Sequence, residues 1–322
     1  MRWQKLGQIF DIRKQPLPDR CELFCKSPQA VEFADFVRIY FTSQKKTENG
    51  KWLSCPVFVD YKKDFSEILR ISEKSVIAQG ALGTFDEHGI FPINILKHQD
   101  RILAYTCGWS RRASVSIDMS IGLAESFDQG QSFVRHGKCG PILTASLKEP
   151  FMVGDPFVQI YDRVYHMWYI YGTKWKQFDG QKEPDRIYKI AHATSLDGID
   201  WKRYGETIIE DVFEDECQAL PTVLKINNRY HMYFCFRKAY DFRSNPANAY
   251  RLGYAYSDDL QSWTRSDEQA GIQRGIDGWD ADMMCYPNIF SLENTVYLLY
   301  NGNEFGKYGF GLAKLISDED RK

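Results

Sequence analysis

Acidic residues recur at one place along this chain, within seven residues before each of five regularly spaced prolines. The candidates that we take from four of these five places are Asp86, Glu87, Asp155, Asp215, Glu216, Asp280 and Asp282. Carboxyl groups that lie close together raise one another's pKa, so a cluster can hold an acid and a base at the same pH. Cleavage of a glycosidic bond requires one protonated carboxyl and one carboxylate. For each acid taken alone, the alternative is a turn-capping role on a solvated rim.

Basic, aromatic and amide side chains form a second recurrent set, which follows the second apolar run of each repeat. Its members are Trp109, Arg111, Arg112, Lys174, Trp175, Arg237, Asn301 and Asn303. Such cations bind phosphate or carboxylate groups, and the indole rings offer flat faces for a sugar. The alternative is that the cations form salt bridges with the nearby acids. His88, beside Glu87, is the one histidine that we add to the binding candidates.

Five repeats in the sequence determine where the acidic set and the basic and aromatic set lie. Their marker prolines are 64, 64, 65 and 66 residues apart, and each is followed by a tyrosine 12 or 13 residues further on; they are Pro28, Pro92, Pro156, Pro221 and Pro287. A regular period of this kind indicates a repeat architecture. In the typical repeat, two strands flank a tight turn, a third strand ends in a Ser-x-Asp turn, and a fourth begins with an aromatic residue. Four antiparallel strands per repeat are typical of a propeller blade, so the sequence predicts an all-β, five-bladed β-propeller. A β-sandwich is the alternative, but it does not explain five near-equal periods.

The repeats cover almost the whole chain, so we predict a single domain over residues 1–322. The blades are expected at about 20–80, 81–146, 149–210, 211–268 and 275–315. The fifth repeat has no fourth strand, whereas residues 1–12 match the fourth strand of the third repeat, which begins at Trp201. We therefore expect the N-terminal strand to close the ring, because this removes an exposed sheet edge.

Propeller geometry brings the two sets together. The innermost strand of each blade starts at one mouth of the central channel, and the antiparallel second strand ends at the same mouth. Residues just before each marker proline and residues after each second strand therefore converge. We expect Glu216 to face Asp155 across this channel.

The charge, the apolar runs and the cysteine spacing of the chain argue against nucleic-acid binding, membrane insertion and zinc binding as functions. A net charge of -2 and a pI near 6.3 give no general attraction to nucleic acid or to membranes. The chain has no run of 18 apolar residues and no N-terminal signal pattern, so we expect no membrane insertion and a cytoplasmic location. Cys21 and Cys25 have the spacing of half a metal site, but no second Cys/His pair has zinc spacing. We expect no cofactor, no metal and no nucleic-acid partner, and a carbohydrate or sugar-derived small molecule as substrate.

Three segments resemble the five-bladed propeller superfamily of arabinanases, β-xylosidases, invertases and levansucrases. Gly154-Asp155-Pro156 resembles the Arg-Asp-Pro motif, although Gly replaces Arg, and Asp215-Glu216-Cys217 resembles the Glu-Cys motif. The third position falls on Asp86, in Phe-Asp-Glu-His-Gly rather than Asn-Asp-Pro-Asn-Gly. The resemblance implies that Glu216 is the general acid, Asp86 the base or nucleophile, and Asp155 a residue that orients substrate and tunes the acid.

A closer resemblance is to a glycosidase-related branch that is associated with surface polysaccharide synthesis. The segments that carry it are residues 85–92, 166–169, 284–287 and 300–303. The resemblance implies a glycoside hydrolase or transglycosidase that acts on an anionic or nucleotide-activated sugar in polysaccharide metabolism. Two alternatives stay open: a non-catalytic carbohydrate-binding propeller, and a glycoside phosphorylase whose cations hold phosphate.

Overall fold

The computed structural model describes residues 1–316, which form five four-stranded antiparallel sheets arranged as the blades of a propeller. Blade 1 contains β2 (Leu23–Glu32), β3 (Val37–Lys46), β4 (Trp52–Tyr61) and β5 (Ile68–Ile71). Blade 2 contains β6 (Ile90–His98), β7 (Arg101–Arg111), β8 (Ile117–Ser126) and β9 (Val134–Arg135). Blade 3 contains β10 (Val153–Tyr161), β11 (Val164–Lys176), β12 (Asp185–Ser195) and β13 (Lys202–Arg203). Blade 4 contains β14 (Glu216–Ile226), β15 (Arg229–Lys238), β16 (Arg251–Ser257) and β17 (Thr264–Arg265).

Blade 5 is built from both ends of the described chain, as predicted. Its strands are β18 (Cys285–Leu292), β19 (Thr295–Asn301), β20 (Gly309–Leu315) and the N-terminal β1 (Trp3–Asp11). β1 pairs antiparallel with β20, from Trp3 opposite Leu315 to Asp11 opposite Gly309. The buried indole of Trp3 donates to the hydroxyl of Tyr233, at 2.9 Å, and to the carbonyl of Ala270, at 3.0 Å. These contacts fasten the first strand to blade 4 as well as to blade 5.

Helical structure in residues 1–316 consists of single turns: two 3-10 turns at Ile12–Lys14 and Asp267–Gln269, and α1 at Asn303–Gly306. None of them has the length or the apolar character of a membrane-crossing helix. The fold is therefore all-β, as the sequence predicts.

Two-residue turns fix the inner hairpins of blades 3, 4 and 5. Both residues of each turn have positive φ, namely Asp162 and Arg163, Asn227 and Asn228, and Glu293 and Asn294. Two successive residues with positive φ are characteristic of the type I′ turn, whose twist matches that of the flanking strands. The turns hold the first and second strands in register, so the second strand returns to the end at which the first one began.

The tyrosines that mark the repeats pack inside the blades. All five are fully buried, and their hydroxyls hold neighbouring segments: Tyr40, Tyr105, Tyr169, Tyr233 and Tyr300. For example, the Tyr40 hydroxyl donates to the Gly130 carbonyl at 2.8 Å, and the Tyr105 hydroxyl donates to the Gly198 carbonyl at 3.1 Å. A buried tyrosine needs such a partner, and its repetition explains the regular tyrosine spacing.

A ring of buried polar side chains joins the innermost strands of all five blades. Gln29 of blade 1 accepts, at 3.3 Å each, from Asn94 of blade 2 and from Asn288 of blade 5. Asn94 accepts from the Val158 N–H of blade 3, at 2.9 Å, and Thr222 of blade 4 accepts from the N–H of Ile289, at 3.2 Å. This ring closes the central channel below the strand starts. The mouth of the channel is therefore a pocket, with the ring beneath it.

Candidate active site

The backbone is distorted at the residue before each marker proline, and the central pocket lies beside these five places. Ser27, Asp155, Leu220 and Tyr286 have φ between 48° and 56° there, and Phe91 precedes a cis proline. The pairing of the first two strands is interrupted at each of these places. A bulge re-aims the side chain at such a position, and positive φ in non-glycine residues is concentrated at functional sites.

The central pocket has a volume of about 250 Å³. Strand starts contribute Lys26, Phe91, Asp155 and Tyr286; the second strands contribute Trp109 and Arg237; the third strands contribute Arg186 and Tyr188. Segments outside the strands add Phe242, Arg243, Tyr250 and Phe305. Among these lining residues Asp155 is the one carboxylic acid, and Lys26, Arg186, Arg237 and Arg243 are cations.

The Asp155 side chain is buried, with 7% of its surface exposed. Burial raises the pKa of its carboxyl to about 7, against the opposing effects of the Leu220 N–H and of Arg186. The Leu220 nitrogen lies 3.3 Å from Asp155 Oδ2. A carboxyl with this pKa both holds and releases a proton near neutral pH, which is the property of a general acid or base.

The cations of the pocket are weakly neutralised. Arg237 is 2% exposed and stacks on Phe242, with 3.4 Å from its guanidinium carbon to the ring centroid. Its Nη1 donates to the carbonyls of Lys238 and Ala239, at 2.8 and 3.5 Å, while Nε is buried and has no partner among the described residues. The Arg186 side chain makes no hydrogen bond or ion pair within residues 1–316.

The other two cations complete this positive lining. Burial lowers the pKa of Lys26 to about 8, and the Lys26 ammonium lies 3.9 Å from the centroid of Phe24. Arg243 lies 3.6 Å from the Asp185 carboxylate. An excess of cations around one acid gives the pocket the electrostatic character of an anion site.

Asp86 and Glu216, the other two predicted catalytic acids, do not line this pocket. Asp86 is 1% exposed, and its carboxylate lies 2.6 Å from Arg135 and 2.9 Å from the Thr84 hydroxyl. Glu216 is fully buried and lies 2.7 Å from Arg265. The expected convergence of three acids at the channel is therefore not seen, and the catalytic assignment of these two residues stays a prediction.

An ion pair occurs at an equivalent position in four of the blades. In each, an acid before the first strand or at its start binds a cation on the fourth strand of its own blade. We call these pairs the blade clamps: Asp86–Arg135, Glu149–Arg203, Glu216–Arg265 and Asp280–Lys5. Each acid is at most 4% exposed, and the shortest distance in each pair is 2.6 or 2.7 Å. A clamp ties the outermost strand of a blade back to its innermost one.

Of the predicted binding residues, Trp109 and Arg237 lie in the central pocket. Arg111 and Arg112 line a second cavity, which also contacts Trp109. His88 lies against Trp109, with 5.4 Å between ring centroids, and burial together with Arg111 lowers its pKa. These residues form one side of the mouth, on blade 2.

The remaining predicted binding residues have structural contacts. Lys174 lies 2.8 Å from Asp215, and Trp175 packs against the core between blades 3 and 4. Glu87 accepts from the N–H of Gly83, at 2.9 Å.

Two of the three candidates on blade 5, Asn301 and Asn303, bind backbone groups through their side chains. Asn301 is fully buried; it accepts from the N–H of Ser27, at 2.8 Å, and donates to two carbonyls. Asn303 accepts from the backbone N–H of the exposed Asp282, at 2.8 Å. The structure thus brings Asp155, Trp109 and Arg237 together and leaves these other residues outside the pocket.

Sequence reasoning missed several pocket residues, namely Lys26, Arg186, Tyr188 and Tyr250. Lys26 lies two residues before its marker proline, the same place that identified the acids, but it is a lysine and the candidates chosen at that place are acids. The others belong to the third strand or directly precede it. A third strand begins at the end where the second one finishes, so its first residues face the same mouth. Their hydroxyls confirm the convergence: the oxygens of Tyr188 and Tyr250 are 2.6 Å apart.

Residues 1–316 contain no cluster of His, Cys, Asp and Glu with the geometry to hold a metal ion. The eight cysteines are free thiols, and seven of them are buried.

Comparison with known sequences finds two relatives over the whole length. Uncharacterized protein MT1551 and Uncharacterized protein Rv1502, from two strains of Mycobacterium tuberculosis, are each 30% identical over 316 residues. The match covers 98% of this chain and 99% of each relative. No family model matches the sequence.

Solved structures share the fold at low sequence identity. A protein named "Glycoside hydrolase" has a TM-score of 0.74 at 14% identity, and the match covers 98% of this chain and 93% of that protein. A thermostable family-43 glycoside hydrolase has a TM-score of 0.65 at 11% identity, with 95% and 93% coverage. An endo-arabinase from Bacteroides thetaiotaomicron has a TM-score of 0.63 at 12% identity, with 94% and 98% coverage. These similarities confirm the predicted resemblance to five-bladed propeller glycoside hydrolases at the level of the fold.

Proposed function

This chain belongs to the same family as the Mycobacterium tuberculosis proteins MT1551 and Rv1502, and from its central pocket we propose that it is a glycosidase-like enzyme for an anionic sugar. The observation that carries the proposal is one protonatable carboxyl, Asp155, in a pocket whose other charged residues are cations. The names of the structural neighbours support a carbohydrate substrate.

The proposed chemistry assigns one task to each group. Asp155 donates its proton to the oxygen that leaves when the glycosidic bond breaks, because its pKa of about 7 keeps part of the population protonated at neutral pH. Arg186 and Arg237 hold the anionic group of the sugar, since planar guanidinium groups match carboxylate and phosphate oxygens. The aromatic walls, among them Tyr188 and Tyr250, exclude water around the reacting atoms.

Glycoside phosphorolysis is a second candidate, and the single lining acid favours it. Hydrolysis with two protein carboxyls needs a base or nucleophile beside the acid. In phosphorolysis, an oxygen of inorganic phosphate held by the cations attacks the anomeric carbon and forms a carbon–oxygen bond, the glycosidic carbon–oxygen bond breaks, and the leaving oxygen takes the proton of Asp155. Phosphate therefore replaces the second carboxyl. The resemblance to propellers of surface polysaccharide synthesis supports a place in polysaccharide metabolism, and we propose a cytoplasmic location for this activity.

The test is turnover of a panel of oligosaccharides with uronate, phosphate or no charge, with and without inorganic phosphate. Asp155→Asn keeps the shape of the side chain but removes the proton, so turnover should fall by about 10²–10⁴-fold while binding persists. Asp258→Asn is the matched control, because Asp258 pairs with Arg229 at an exposed site beside the opposite hairpin end. Full activity of Asp155→Asn contradicts the assignment. Turnover that requires phosphate selects phosphorolysis, and saturable binding without turnover across the panel selects a binding role.

A further inference from the structure

A second cavity lies beside the central pocket at the same mouth. Its volume is about 350 Å³, and it is bounded by the end of β7, the residues that follow it, and Glu183 of blade 3. Trp109 and Ile117 line both cavities, so the two cavities adjoin at these residues. The second cavity is thus within reach of a ligand that extends beyond the central pocket on this side.

The second cavity contains a cation that lacks a carboxylate partner. Arg111 donates from Nη2 to the carbonyl of Trp52, at 2.6 Å, and its guanidinium carbon lies 5.0 Å from the Trp109 ring centroid. Its Nη1 is buried and makes no hydrogen bond with any described residue. The neighbouring Arg112, by contrast, is paired with Asp118. Arg111 therefore brings to this wall a positive charge that no ion pair with a described residue neutralises, and an oxygen of a ligand is attracted to the accessible part of its guanidinium group.

Local structure holds this wall in place without a ligand. The Trp109 nitrogen donates to the Gly89 carbonyl, at 3.1 Å, and its carbonyl accepts from the N–H of His88, at 3.2 Å. The His88 ring packs against the indole. Such pre-formed walls with a few polar groups are characteristic of ligand sites.

We propose that this second cavity binds the sugar unit adjacent to the one in the central pocket. The substrate is then an oligosaccharide of at least two units that passes Trp109, with a hydroxyl or acidic oxygen of the second unit accepting from Arg111. This inference rests on the proposed function, because it takes the central pocket as the site of the first unit.

The test is binding to an immobilised array of glycans in length series from one to six units, with uronate, phosphorylated and neutral members. We expect longer members of at least one series to bind more tightly than the single unit. Arg111→Gln removes one charged donor and should reduce the ratio of long-probe to short-probe affinity about tenfold. Arg229→Gln is the matched control, since Arg229 is exposed and begins the strand that starts at the opposite end of blade 4; it should leave the ratio unchanged.

A second variant tests the same cavity independently, in case Arg111→Gln does not fold. Ser114 is exposed in the segment that lines the second cavity, so Ser114→Trp fills the cavity from a loop rather than from a strand. It should also abolish the gain with length. Binding without any gain from one unit to two overturns the second-unit site and leaves the central-pocket proposal standing. No binding of any glycan, by contrast, overturns the proposed function itself and the second site with it.

Discussion

The blade clamps and the central pocket use acids from similar places in the repeat in opposite ways. A clamp acid such as Glu216 is buried against a cation of its own blade, so its charge is neutralised where it lies. Asp155 is similarly buried, but no ion pair neutralises it, and burial raises its pKa to about 7. A buried carboxylate without a partner is disfavoured, whereas a paired one is stable. The comparison separates acids that stabilise blades from an acid that is free to exchange a proton.

Removal of the N-terminal strand is the largest disruption of the clamp system. Deletion of residues 1–10 removes Trp3, the β1–β20 pairing and Lys5, the cation of the blade 5 clamp, and it exposes the edge of β20. We expect a large fall in the melting temperature, measured by circular dichroism, or failure to fold. An unchanged melting temperature would show that neither ring closure nor the blade 5 clamp contributes to stability.

The next largest effect on stability is expected at a clamp in which both partners are buried. In Glu216→Gln, Arg265, which is 6% exposed, loses the buried carboxylate of Glu216 and keeps only that of the more exposed Asp267, at 2.9 Å. Removal of one partner of a buried pair costs about 3–5 kcal/mol, and because Asp267 remains we expect a loss near the lower end, to be measured as the free energy of unfolding in urea. The double variant Glu216→Gln/Arg265→Met removes both charges and should recover part of this loss. If Glu216→Gln instead folds with wild-type stability and loses turnover, Glu216 is the general acid that the resemblance implied.

The sequence predicts the fold better than it predicts the site, and the reason is the range of the interactions involved. The marker prolines, the turns such as Asp162-Arg163 and the fourth-strand match of residues 1–12 are local patterns that recur, so each repeat supports the others. A clamp depends on a partner far along the chain: Asp86 and Arg135 are 49 residues apart, and so are Glu216 and Arg265. Which acid meets which cation depends on the register of two-residue outer strands, and a local sequence pattern does not reveal that register.

The pocket residues differ in the same way in how far a local pattern identifies them. Asp155 stands directly before its proline, where the bulge aims it at the channel, so position alone identifies it. Arg186 belongs to a third strand that follows a loop of irregular length, and no spacing rule marks it. Charge type alone does not distinguish a clamp acid from a pocket acid, because the difference lies in the cation that each one meets.

Asp155 should respond to pH in the direction opposite to a paired acid. Its pKa is raised to about 7 in the folded protein, against about 3.9 in an unfolded chain. The folded state therefore binds more protons between these values, so this group's contribution to stability is fully present below about pH 4 and is lost as pH rises through 7. Asp155→Asn should gain stability relative to wild type between pH 4 and 7, with no further gain above 7, in thermal unfolding measured from pH 4 to 8. Asp258→Asn serves as the control, and a stability difference that is constant across this range would contradict the buried, unpaired state of Asp155.

The smallest effect is expected at the clamp that solvent reaches. Lys5 is 30% exposed, its ammonium lies 2.6 Å from Asp280, and Asp280 also accepts from the hydroxyl of Tyr300, at 3.1 Å. In Lys5→Met the aliphatic stem keeps its packing, but the buried Asp280 carboxylate is left with the Tyr300 hydroxyl as its remaining side-chain partner, so we expect a loss of about 1–3 kcal/mol in the free energy of unfolding, smaller than that of Glu216→Gln. Salt provides the sharper measurement, because the Debye length falls to about 3 Å at 1 M and screens exposed pairs far more than buried ones. The difference between Lys5→Met and wild type should shrink at high salt, whereas that between Glu216→Gln and wild type should not. Equal salt dependence of the two differences would mean that the clamps do not differ in burial as described.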